Sequence, residues 1–260
     1  NFIVDVLNYV MLEIGQPMHV FDKDKLNGDL DVRFAKKGEK INTLDGNEYI
    51  LSTDIPVISD NNGPQAIAGV IGSNNSSVGG DTRSIVIESA FFNQNLIRKS
   101  AKKFRLQTES SYRFERGVDP NLNDLALGRV IDVVSQYSKI KKHTYNSVVT
   151  KPVSPHLNKY IKMDMSDFER ILGEKIPNKF IIDTLSYLGF NPVMLKNKLK
   201  VSVPSHRFDI SIPEDITEEV ARVYGYNNFS EMPLPPTNLS TNNIPRNNTN
   251  IFLDLLSSRG

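Results

Sequence analysis

Between Leu30 and Ala90 turn-forming residues cut the chain into short apolar runs, and beyond Asn93 the apolar spacing becomes helical. Strands first and helices afterwards predict an α+β domain rather than alternating βαβ units. The runs are Leu30–Ala35, Ile41–Leu44, Tyr49–Leu51, Ile55–Ser59, Gln65–Ile71 and Ser84–Ala90. Asp45-Gly46 suits a tight hairpin turn, since both residues tolerate positive φ. Gly72–Asp81 is a polar, glycine-rich loop. Asn1–Leu12 reads as a strand or as the start of a helix, and periodicity does not separate the two. Asn93 is expected to cap a helix reaching Phe104, and a second helix is expected from Pro120 to Tyr137.

Residues 1–149 are read on this basis as one large mixed domain. Lys151-Pro152-Val153-Ser154-Pro155 is a predicted linker. Behind it the pattern predicts a helix over Asp167–Leu172 capped by Ser166, a helix over Lys179–Leu188 capped by Asn178, a hairpin around Lys196-Asn197, and a helix over Pro213–Tyr224. That makes a small helix–hairpin–helix α+β domain, residues 150–226 with its compact part from Pro155 to Tyr226. Residues 227–260 are expected to be an Asn- and Pro-rich connector and the start of a further helix, Ile251–Leu256. The first residue is Asn and the last helix is cut short, so the chain is expected to be a piece of something longer.

Composition excludes several classes. Lysine and arginine total 31 against 30 acids, which argues against a strongly basic nucleic-acid coat. With no cysteine there is no disulfide, thiolate metal site or cysteine nucleophile. No apolar run approaches the roughly 20 residues of a membrane span.

Four constellations can carry chemistry. Asp215, Glu218 and Glu219 fall in one sector of a helix at about 100° per residue, with Asp209 one loop away. Such carboxylates can hold a hard cation such as magnesium, or can serve a helix dipole and pair with Arg222. His19, after the Gln16-Pro17 turn, stands alone between apolar residues, which is usually a structural position. Glu88 interrupts a strand that otherwise reads as buried, so it is a strand-end surface residue or a polar group set in a pocket. Arg98–Arg116 has a local excess of five positive charges, which suits phosphate contact or a solvated helix face. By contrast, Lys159–Arg222 holds ten basic and ten acidic residues.

Read together, several strings resemble the β subunit of bacterial-type phenylalanyl-tRNA synthetase. They include Gly15-Gln16-Pro17-Met18-His19-Val20-Phe21-Asp22, Ala66-Ile67-Ala68-Gly69-Val70-Ile71-Gly72, Ile87-Glu88-Ser89-Ala90-Phe91-Phe92 and Arg113-Phe114-Glu115-Arg116-Gly117-Val118-Asp119-Pro120. Val203-Pro204-Ser205-His206-Arg207-Phe208-Asp209-Ile210 and Asp215–Tyr226 extend the likeness to nearly the whole chain.

The resemblance implies that the first domain hydrolyses tyrosine mischarged on phenylalanine tRNA. Glu88 would contact the tyrosine hydroxyl, and His19, Asn8, Gly69, Thr108 and Ser110 would line the pocket. It implies magnesium on Asp209, Asp215, Glu218 and Glu219, a catalytic α subunit as partner in an α2β2 assembly, and ATP chemistry confined to that α subunit. A cytoplasmic location goes with it, an organelle staying open. The chain departs from the family at Leu7, where a threonine is usual, and at Ser110, where an alanine is usual. Leu7 removes a hydroxyl that could orient water or ribose. The alternatives are an assembly module with a decayed pocket, or a DNA-binding module at Pro155–Tyr226.

Overall fold

The computed structural model describes residues 1–138, 159–230 and 248–260. The ambiguous opening segment is a helix, α1 (Phe2–Ile14). Asn1 caps it by accepting from the Ile3 amide at 3.1 Å, and Gly15, in the left-handed region, ends it. Its buried residues Val6, Leu7, Val10 and Met11 recur at helical spacing.

The strands follow in the expected order, with one addition and one split: the run Gln65–Ile71 is interrupted by a turn, closed by the Val70 amide donating to Ile67 O. β1 (Met18–Asp22) carries His19 and was not foreseen. β2 (Asp31–Phe34), β3 (Lys40–Asn42), β4 (Glu48–Ile50), β5 (Pro56–Asp60), β6 (Gly63–Ile67), β7 (Ile71–Gly72) and β8 (Ile85–Ser89) match the apolar runs. β3 and β4 pair around Asp45-Gly46 as expected. Strands β2, β5, β6 and β7 form one antiparallel sheet in that order, and β1 pairs antiparallel with β8. β8 is half-buried rather than fully buried.

The helical half is α2 (Gln94–Phe104), capped by Asn93 as expected, then α3 (Glu109–Phe114) and α4 (Leu122–Tyr137). The short α3 was not foreseen. Its capping box uses Thr108 and Ser111, where the familiar signature has Glu or Gln at the third position.

Alternation along β1 and β8 sorts their side chains between two cores. Phe21 faces a large core that includes Ile67, Phe92, Ile97 and Phe114, with Val86 packed against it. Val20 and Ile87 face a second core made with Val6, Leu7 and Val10 of α1 and Ala126, Val130 and Val133 of α4.

The second module contains β9 (Tyr160–Asp164), α5 (Met165–Leu172), α6 (Asn178–Tyr187), β10 (Asn191–Leu195), β11 (Lys198–Ser202) and α7 (Pro213–Tyr224). The hairpin is thus part of a three-stranded sheet, ordered β10-β11-β9. α5 begins at Met165 rather than Asp167, with Asp164 instead of Ser166 as its cap, and α6 starts at Asn178 itself with Pro177 at the cap position. Its core gathers Phe168, Ile181, Leu185, Leu199, Val201, Ile216 and Val220. The expected linker at 151–155 and most of the expected connector lie outside the described residues. A last helix, α8 (Asn248–Ser257), covers the apolar stretch at 251–256.

Candidate functional site

The site begins with a side chain that ties two strands together. Gln16 is fully buried, and its Nε2 donates to the carbonyls of Ala90 at 2.9 Å and Pro17 at 3.0 Å. This pins the start of β1 to the end of β8. The antiparallel register then runs Met18 to Ser89, His19 to Glu88, Val20 to Ile87 and Phe21 to Val86. His19 and Glu88 are therefore direct cross-strand neighbours. They point to the side of Phe21 and Val86, where the large core opens into a cavity.

That cavity, about 40 Å³ in volume and open to solvent, is lined by His19, Gly69, Gly72, Glu88, Ser110 and Phe114 among others. Two glycines shape it. Gly69 has φ +66°, and a Cβ there would come within 2.9 Å of Ile97 and Phe92. A Cβ on Gly72 would overlap the imidazole of His19. The ring also meets Phe21 edge-on at 4.6 Å between centroids. Phe114 is buried beneath the cavity and meets Phe92 edge-on at 5.0 Å.

The electrostatics follow from desolvation. Burial pushes the Glu88 carboxyl up to about 7 and the His19 imidazole down to about 4. Neither side chain forms a hydrogen bond or ion pair among the described residues. An acid and an imidazole that share a wall, both uncharged at mildly acidic pH and both without protein partners, are poised for a polar ligand.

The structure brings His19, Gly69, Glu88 and Ser110 together on one cavity and leaves two expected residues off its lining. Asn8 is exposed on α1, behind the β1–β8 pair. Thr108 supports the cavity from outside: its hydroxyl donates to Val70 O at 2.8 Å and accepts from the Ser111 amide at 3.0 Å. It thereby fastens α3, which carries Ser110, to the loop between Gly69 and Gly72.

The expectation that Leu7 strips a hydroxyl from the pocket is corrected. Leu7 is buried in the α1–α4 core, on the opposite side of the β1–β8 pair. Gly72 and Phe114 belong to the cavity and were not singled out. Their signals were a glycine set against apolar neighbours and the aromatic of the Arg113–Arg116 string.

The four acids of the second module are not brought together as a ligand set. The Arg207 guanidinium binds Asp209 at 2.6 Å and Glu219 at 2.7 Å, and Arg222 binds Glu219 at 2.5 Å. Asp215 accepts from the amides of Ser211 at 2.6 Å and Ile212 at 2.9 Å, capping its own helix, while Glu218 is exposed. Arg207 holds the Asp209 and Glu219 carboxyls below their ordinary range, and the Ile212 and Ser211 amides do the same for Asp215. Among the described residues no three acids or histidines gather as a metal site. As placed, Asp209 and Glu219 are already neutralised by arginine and Asp215 is held by backbone amides, so the set does not fit a magnesium ion.

Comparison with known proteins agrees with the motif strings. Residues 1–139 match the family model described as the B3/4 domain, and residues 161–226 match the tRNA synthetase B5 domain. The chain belongs to the B3/4 domain family. It is 40% identical over 232 residues to the "Phenylalanine--tRNA ligase beta subunit" of Photorhabdus laumondii, covering 89% of this chain and 29% of that protein. It is 41% identical over 237 residues to the subunit of the same name in Carboxydothermus hydrogenoformans, covering 90% and 29%. An N-terminal fragment of the phenylalanyl-tRNA synthetase β subunit from Pyrococcus horikoshii has a TM-score of 0.41 at 16% identity, covering 86% of this chain and 65% of that one. The likeness to the phenylalanyl-tRNA synthetase β subunit therefore extends from motifs to both domains, in the α+β class expected. The chain spans under a third of the length of the curated relatives it matches. Among the described residues no helix is long and apolar enough to cross a membrane.

Proposed function

We propose that residues 1–149 form a hydrolytic proofreading module which removes tyrosine from phenylalanine tRNA, and that residues 150–226 help to dock it on a catalytic α subunit. The observation that carries this reading is the cross-strand pair of His19 and Glu88 on the wall of one small cavity. A phenol entering there donates its O–H to the Glu88 carboxylate. Phenylalanine leaves that carboxylate desolvated and unpaired, and a site built around a substrate hydroxyl rejects the analogue lacking it by about 10⁴–10⁵-fold.

His19 is neutral at pH 7, because burial holds it down to about 4. A neutral imidazole accepts a hydrogen bond from water and orients it toward the ester carbonyl. The water oxygen bonds to the carbonyl carbon, the acyl–oxygen bond to the ribose breaks, and the ribose oxygen leaves with a proton. ATP-dependent activation belongs to the α subunit in this reading, with phenylalanine tRNA as the shared partner of an α2β2 assembly.

Deacylation of tyrosyl-tRNA specific for phenylalanine, by the two-subunit enzyme, tests the proposal. Glu88→Ala should slow release or admit phenylalanine. Tyrosine release at the parent rate, with the parent selectivity, would remove Glu88 from the mechanism.

A further inference from the structure

The outer face of the β10-β11-β9 sheet carries charges that its own fold does not explain. β9 sends Ile161 and Met163 into the core and leaves Tyr160 and Lys162 outside. β11 buries Leu199 and Val201 and turns Lys198, Lys200 and Ser202 outward. The register sets Lys162 directly opposite Lys200 and Tyr160 opposite Ser202. Like charges facing each other across an antiparallel pair are destabilising. Yet neither ammonium has a carboxylate partner among the described residues. Both sit over one ring instead: Lys200 Nζ lies 4.3 Å, and Lys162 Nζ 5.5 Å, from the centre of Tyr160, which is 49% exposed.

Of the three strands of this sheet, only β9 carries an acid, Asp164. Asp164, at the far end of the lysine face opposite Lys198, caps α5. Two unneutralised lysines beside a flat aromatic suit a phosphodiester flanked by a base. A free anion or an acidic peptide has no use for the ring, and in a duplex the base faces are already stacked.

We propose that Tyr160, Lys162 and Lys200 form a contact for unpaired RNA, with phosphate at the lysines and a base against the tyrosine. The surface stands on the sheet alone; the choice of RNA rests on the proofreading reading, which supplies that polyanion.

The test is equilibrium binding of a short unpaired oligoribonucleotide to the full chain across a salt series. Lys162→Gln with Lys200→Gln should weaken binding and flatten the plot of log affinity against log salt by about 1.4, two phosphate contacts at about 0.7 each. Tyr160→Leu should weaken binding with the slope kept. Lys162→Glu places opposite charges across β9 and β11, so its Tm should match or exceed the parent's while RNA affinity falls. Parent affinity and slope in the double variant, or parent affinity in a folded Lys162→Glu chain, would overturn the contact. Tighter binding of duplex DNA at equal salt would overturn the choice of RNA. The two readings fail separately: Glu88→Ala should leave this binding unchanged, and the lysine variants should leave the deacylation kcat unchanged while raising KM.

Discussion

His19 keeps its place because Gly72 has no side chain. A methyl group on Gly72 would overlap the imidazole, so Gly72→Ala must push the ring away from the cavity wall. Misplacing a catalytic group by about 1 Å can cost about 100-fold, and deacylation by Gly72→Ala should fall toward that limit. Single-turnover deacylation rates would check it. Glu88 supports a pH prediction. Its carboxyl ionises near the ordinary 4.5 when the chain is unfolded but at about 7 when folded. The folded state is thus unpenalised below 4.5, loses stability as pH rises from 4.5 to 7, and carries the full penalty above 7. Glu88→Gln removes the charge and should stabilise the chain at about pH 8 while leaving it near the parent value at about pH 4. Denaturant midpoints at the two pH values measure the difference. His19 has the opposite sense: its penalty grows as pH falls from 6.5 to about 4.

At the scale of elements, the short helix α3 depends on its cap. Thr108 satisfies the Ser111 amide and also reaches Val70 O, so one hydroxyl holds both the helix and the cavity loop. Thr108→Ala should cost about 1–2 kcal/mol of stability, read from Tm, and should loosen Ser110 enough to slow deacylation. The helices α2 and α4 and the β3–β4 hairpin were legible in the sequence, because Asn93, Asp45-Gly46 and the apolar stripes are local signals. α1 was not, because its apolar and β-branched residues suit a strand as well as a helix; packing against α4 decides it. β9 was not legible although Tyr160–Asp164 alternates, because its pairing partner β11 lies two helices and a strand further along the chain.

For the whole molecule, strings that carry the family likeness in the two domains meet each other. Phe208 of the second module stacks on Phe91 at 6.5 Å between centroids and covers Gly117, where a Cβ would come within 2.6 Å of its ring. Asn121 Nδ2 donates to Ser205 Oγ at 2.9 Å beside this contact. Phe208→Ala should loosen the modules, which calorimetry would read as a wider gap between their unfolding transitions. An unchanged thermogram would mean that the contact couples nothing. The sequence alone carried the α+β class, most strands and helices, the family likeness, and the singling out of His19 and Glu88. Those features are local or lie in contiguous strings. Tertiary structure alone decided that His19 and Glu88 face each other, that Leu7 lies behind their strands and that Arg207 occupies Asp209 and Glu219. Each of these depends on the register between distant segments. A shift of one residue in a β-strand turns every side chain to the opposite face, and no local pattern around His19 or Leu7 specifies that pairing.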